Sequence, residues 1–231
     1  MKRQLANNPN DREQITKKFE AEDKIFLSNQ KVEEGWKLWE KKDFNGAKNL
    51  FDKAINLNPD NADAWFGRGT ASAELGQYEQ AIQNFDKAIN LNPNYVDAYY
   101  NRGNTYSHLN QYVEAIQNYN VAIKLNPNYA PAYGNRGFIY NELKHFELAI
   151  QDFNKIIELA PNIEISYINR GYSYANLGQY EQAIQDFDKA IVLNPNYAQA
   201  YNNRGICYQQ LGDNEKAQAD FAKAKELGYN G

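Results

Sequence analysis

The sequence predicts an all-α solenoid built from antiparallel helix pairs, and three observations predict it. Pro59, Pro93, Pro127, Pro161 and Pro195 stand 34 residues apart, and a period of that length marks a stacked-repeat architecture. Within each period, apolar residues recur twice at helical spacing. In unit 62–95 glycine closes the first of those stretches and proline the second. The copies are close: residues 75–95 and 177–197 differ only at Asn84/Asp186 and Asn90/Val192.

Setting the recurrent proline at the thirty-second place gives six units: 28–61, 62–95, 96–129, 130–163, 164–197 and 198–231. Ahead of them, residues 1–27 read as a tail and a capping helix over about 11–27 that covers the first unit. Asp11 followed by Gln14 is its start signal, and Ile15, Phe19 and Phe26 recur at helical spacing. In unit 62–95 the first helix runs from about Ala62 to Leu75, with Trp65, Gly69, Ser72 and Leu75 as its stripe, and Gly76 stops it. The second runs from about Glu79 to Asn92 with Ala81, Ile82, Phe85, Ala88 and Ile89 on one face. Asn92 precedes Pro93, so it leaves helical geometry and ends the helix. The last unit ends in "KELGYNG", which leaves Phe221 and Leu227 as an exposed apolar end. Either the natural chain continues, or two such ends pack together.

Composition excludes several function classes. Mean hydropathy is −0.81 and aromatic residues make up 14%, too many for a disordered chain. The one cysteine, Cys207, permits neither a disulfide nor a cysteine zinc site within the chain. The N-terminus carries no signal-like apolar run, and no stretch has the roughly 18 apolar residues a membrane span needs. The expected setting is cytoplasmic. Net charge is −4, and no unit gathers the basic footprint of a nucleic-acid binder. No GxSxG, HExxH, CxxC or GxxxxGK[ST] pattern occurs, so neither an enzyme nor a cofactor is expected. His108 and His145 lie at unrelated places, and Cys207 reads as a small packing residue.

The units resemble the tetratricopeptide repeat. Unit 96–129 supplies Tyr99, Gly103, Tyr106, Ala115, Tyr119, Ala122 and Pro127 at that family's signature places, and unit 164–197 supplies Tyr167, Gly171, Tyr174, Ala183, Phe187, Ala190 and Pro195. Lys31, Ile156 and Tyr229 depart from the pattern. The resemblance covers residues 28–231 and implies a right-handed superhelix, stabilised by burial of each unit against its neighbours. It also implies that the concave face, lined by first helices, holds a protein partner.

Residues outside the core places suggest where. The sixth place is Asn101, Asn135, Asn169 and Asn203 in the last four units. Asparagine is a poor helix-interior residue, so the repetition wants a cause. One reading is an amide ladder that holds a peptide backbone; the other is bonding to neighbouring helices. Tyr100, Asn104, Phe66, Phe138, Ile168, Tyr172, Trp36 and Trp39 are expected on the same face, as anchors for apolar side chains. Arg68, Arg102, Arg136, Arg170 and Arg204 hold the seventh place. They either flank the groove or, as the favoured reading, pair with Asp152, Asp186 or Asp220 on adjacent helices. The lysine places of the family's carboxylate clamp hold Val32, Pro131 or Tyr100, so the acidic C-termini of chaperones are not expected ligands. A non-catalytic scaffold for a protein or peptide partner is the expected function. The alternatives are homo-oligomers formed through the uncapped C-terminal repeat, or a targeting module of a larger protein.

Overall fold

A computed structural model describes residues 9–229. The described residues form twelve helices and no strand: α1 Pro9–Glu40, α2 Phe44–Leu57, α3 Ala62–Glu74, α4 Tyr78–Leu91, α5 Val96–His108, α6 Tyr112–Leu125, α7 Ala130–Glu142, α8 Phe146–Leu159, α9 Glu164–Asn176, α10 Tyr180–Leu193, α11 Ala198–Gln210 and α12 Asn214–Glu226. Odd-numbered helices carry the first half of each repeat and even-numbered ones the second. The chain forms two compact units, Met1–Asn118 and Tyr119–Gly231, divided within α6.

Small residues and aromatics make the core, as the period requires. Ala47, Ala81, Ala115, Ala149 and Ala183 have no exposed surface, and Phe51, Phe85 and Phe187 fill the space they leave. Full burial of such a phenylalanine is worth about 2–3 kcal/mol. In the first unit α1 packs on α2 and α3, α3 on α4, and α4 on α5. Trp36 joins this core edge-on to Phe51, with ring centroids 5.2 Å apart. In the second unit α7 to α12 pack each on the next, around Phe153, Tyr167 and Phe187.

Turns follow the asparagine–proline signal. The side-chain oxygens of Asn58, Asn92, Asn126 and Asn194 accept the amide N–H two residues on, the local bond that makes this residue a helix terminator. The fifteenth place takes a left-handed backbone: Gly76, Gly178 and Gly212 adopt it, and so do Lys42, Asn110 and Lys144.

The N-terminal segment is helical but does not form a separate cap over the first repeat. α1 is one helix from Pro9 to Glu40, so Asp11 lies inside it instead of starting it. No breaker stands between Ile15 and Val32, so the first repeat's opening helix is simply extended. Phe19 and Phe26 are 55% and 68% exposed, which shows that they do not cover the repeat. The expected tail over residues 1–8 lies outside the described residues.

Candidate partner-binding face and the arginine staples

Each of the five seventh-place arginines bridges three helices. It bonds the residue 16 positions ahead, on its own repeat's second helix, and the residue 16 positions behind, on the preceding repeat's. Arg68 donates to Asn84 at 2.9 and 2.7 Å and to Asp52 at 2.7 Å. Arg102 does the same with Asn118 at 2.8 Å and Asp86 at 2.5 Å. Arg136 forks onto Asp152 at 2.8 and 2.6 Å and reaches Asn120. Arg170 forks onto Asp186 at the same distances and reaches Asn154 at 2.6 Å. Arg204 meets two carboxylates, Asp220 and Asp188. The carboxylate thus comes from the preceding repeat in the first unit, from the same repeat at Arg136 and Arg170, and from both at Arg204.

Only a planar fork reaches both helices at once, which explains why lysine never replaces these arginines. Each guanidinium also lies over an aromatic of its own repeat, 4.4 Å from Trp65 for Arg68 and 5.4 to 5.7 Å from Tyr99, Tyr133, Tyr201 and Tyr167 for the others. Burial pushes the carboxyls of Asp152 and Asp186 above their ordinary value, against the pull of the arginine hydrogen bonds and charge. The guanidiniums rise as well: at Arg170 through the Asp186 hydrogen bond, and at Arg136 because Asp152 outweighs the opposing effect of burial. Desolvation of the acid is therefore the main cost of the staple and the fork its compensation. Sequence reading named three of these aspartates. It missed Asn84, Asn118, Asn120, Asn154, Asp52, Asp86 and Asp188, whose signal is the spacing of 16 residues to either side of each arginine.

The four sixth-place asparagines have different surroundings. Asn101 donates its amide to the carbonyl of Asp97, 2.9 Å away on its own helix. Asn203 accepts a 3.5 Å bond from Asn202. The backbone carbonyl of Asn169 receives Ser173 Oγ at 2.9 Å and Asn141 Nδ2 at 3.3 Å, and Asn135 is half-buried. Gly67 holds this place in the second repeat, because a Cβ there would strike the Phe51 ring. Asn141, buried and bonded to α9 through Asn169 and Ser173, was not singled out in the sequence.

The aromatic and aliphatic candidates divide. Phe138, Tyr172 and Ile206, all at the ninth place, are 54%, 45% and 43% exposed. Tyr100 and Asn104 are half-buried. Ile168 is not on the open face: it is 2% exposed and belongs to a core cluster with Ala190, Ala200 and Tyr197. Its equivalent Phe66 packs 4.8 Å from Tyr95. The fifth place thus lies under the aromatic that leads into the next repeat. Trp36 and Trp39 are half-buried and pack on the first core.

Two cavities open on first helices. One of about 270 Å³ lies between α9 and α11, lined by Tyr172, Asn176, Tyr180, Asn203, Ile206 and Gln210 among others. The second, about 260 Å³, lies between α3 and α5, with Thr70, Glu74, Tyr78, Asn101, Asn104 and His108. They are equivalent positions of the repeat, 102 residues apart in register from Asn101 to Asn203. Of the expected face residues, Asn101, Asn104, Tyr172 and Asn203 line them.

Among the described residues no helix is long and apolar enough to cross a membrane. A comparison with curated protein sequences gave no match. Among solved structures, the chain is similar to YrrB, described as a TPR protein with an unusual peptide-binding site, at 26% identity and a TM-score of 0.70, covering 77% of this chain and 92% of that one. It is similar to a MamA protein at 26% identity and a TM-score of 0.66, covering 75% and 94%. A tetratricopeptide repeat protein from Parabacteroides merdae shares the fold at 22% identity and a TM-score of 0.69, covering 88% and 94%. Family profiles described as tetratricopeptide repeat match residues 35–61, 50–83, 96–129, 130–163, 153–185 and 198–227, and one described as TPR repeat matches 69–109 and 171–212. The chain belongs to the tetratricopeptide repeat family, whose members generally serve protein–protein interaction.

Proposed function

We propose that this protein is a non-catalytic module that captures a segment of a protein partner on the first-helix face. The observation that carries this reading is the cavity between α9 and α11. Its apolar walls, Tyr172 and Ile206, are exposed although burial would be favourable, and Asn176, Asn203 and Gln210 line it beside them. Apolar walls supply binding energy at about 25 cal/mol per Å² buried, and amides orient a peptide backbone. Phe138 extends the apolar row on α7. The likeness to YrrB supports the same class of ligand. A cytoplasmic setting belongs to this reading, consistent with a single cysteine held buried as a thiol.

Self-association by stacking one copy's last repeat on another's first is less well supported. The staple that joins successive repeats would need an arginine at the seventh place of the first repeat and an acceptor on α12. Those positions hold Glu34 and Ala222.

The test is selection of peptides from a displayed random library on the wild-type protein. Selected peptides should carry one or two large apolar residues and lose binding to a Tyr172→Ser/Ile206→Ser variant whose melting is within about 0.5 kcal/mol of wild type. Unaltered binding to that variant overturns the reading.

A further inference from the structure

The cavity between α3 and α5 has the same place in its repeats as the apolar one, but different chemistry. Where the later cavity has Tyr172 and Ile206 at the ninth place, this one has Thr70 and Asn104; where the later has Asn176 and Gln210 at the thirteenth, this one has Glu74 and His108. The change extends to the second place of each first helix. There α3 and α5 present Asp63 and Asp97, whereas α9 and α11 present the uncharged Ile165 and Gln199. Asp63 is held by the Tyr95 hydroxyl at 2.7 Å. Among the described residues no ion pair engages Glu74, and it stands exposed at the C-terminal end of α3. That position is electrostatically unfavourable for an acid, because the helix end is itself negative. Tyr78 forms the opposite wall, its ring parallel to His108 at 5.5 Å.

We infer that the α3–α5 cavity is a subsite for a cationic side chain, arginine or lysine, of a captured protein segment. A cation there meets a carboxylate at Glu74, the negative end of α3, an aromatic face at Tyr78 and amide oxygens at Asn101 and Asn104. Each favours positive charge. The five face-adjacent arginines do not compete for the site, since each is engaged by its own acceptors. The two cavities then specify different anchors with one backbone architecture. The assignment rests on the peptide-capture reading above and names part of what is captured.

Amide chemical-shift mapping of the full chain tests it with two probes, Nα-acetyl-arginine amide and Nα-acetyl-phenylalanine amide. The arginine probe should shift Glu74, Asn101 and His108 with a millimolar dissociation constant, and weaken about three- to fivefold in Glu74→Gln. The phenylalanine probe should shift Tyr172, Asn203 and Ile206 instead. Glu74 is exposed, so its replacement leaves folding intact. An arginine probe that shifts nothing around Glu74, or binds Glu74→Gln equally, overturns the cationic subsite. A phenylalanine probe that leaves Tyr172 and Ile206 unmoved overturns the capture reading separately.

Discussion

Replacing Arg170 with methionine removes a charge while keeping an unbranched stem beside Tyr167 and Tyr174. Three hydrogen bonds are lost, two to Asp186 and one to Asn154. What remains is a carboxylate whose side chain is 6% exposed with no cation beside it. Breaking a fully buried pair costs about 3–5 kcal/mol. Because the arginine fork is itself 19% exposed, the expected loss lies at the low end, about 3 kcal/mol at neutral pH. Urea unfolding followed by circular dichroism measures it. Adding Asp186→Asn should restore most of the loss, because the orphaned charge is then gone. The pH dependence has a definite sign. Burial already raises the Asp186 carboxyl, and Arg170 opposes that rise, so the variant raises it further. A carboxyl raised in the folded state favours folding when protonated, below its unfolded value, and this advantage is lost as pH rises through the folded value. The deficit of Arg170→Met should therefore be largest near neutrality and close in acid. A loss below about 0.5 kcal/mol, or no rescue by Asp186→Asn, refutes the staple as the link between repeats.

Further outcomes follow from the same geometry. Moving the carboxylate across the staple, Asn154→Asp with Asp186→Asn, recreates the arrangement at Arg68 and Arg102. Its melting should lie within about 0.5 kcal/mol of wild type, whereas Asp186→Asn alone should cost about 1 kcal/mol. Lys144 has φ 59° where three other repeats use glycine, so Lys144→Gly should stabilise by about 0.5–1 kcal/mol in urea titration. Cys207 has no exposed surface and burial pushes its thiol up to about 11. It should resist a disulfide reagent in the native protein and react on unfolding. Asn203→Ala should leave melting nearly unchanged and weaken capture of a selected peptide.

Much of the fold was legible because each repeat states it separately. The prolines, the alanines at the two close-approach places and the turn asparagines are local signals, and the helix ends fall within about a residue of expectation. The N-terminal segment was misjudged because periodicity gives helix content, not whether two helices are joined; only the lack of a breaker between Ile15 and Val32 carried that information. For the candidate face, helical phase placed Phe138 and Tyr172 on the surface. It failed at Ile168, because the aromatic leading into the next repeat overlies the fifth place, a tertiary fact. The asparagine acceptors of Arg68 and Arg102 were missed for a similar reason. Charge complementarity finds aspartates, but an amide oxygen becomes an arginine partner only when packing brings it there.

The most direct measurement is amide chemical-shift mapping with one peptide selected by the wild-type protein. The account predicts the largest shifts at Tyr172, Asn176, Asn203 and Ile206, with the exposed outer positions Gln182 and Lys189 on α10 unchanged. Shifts concentrated on the second helices, with Tyr172 and Ile206 unmoved, would contradict it.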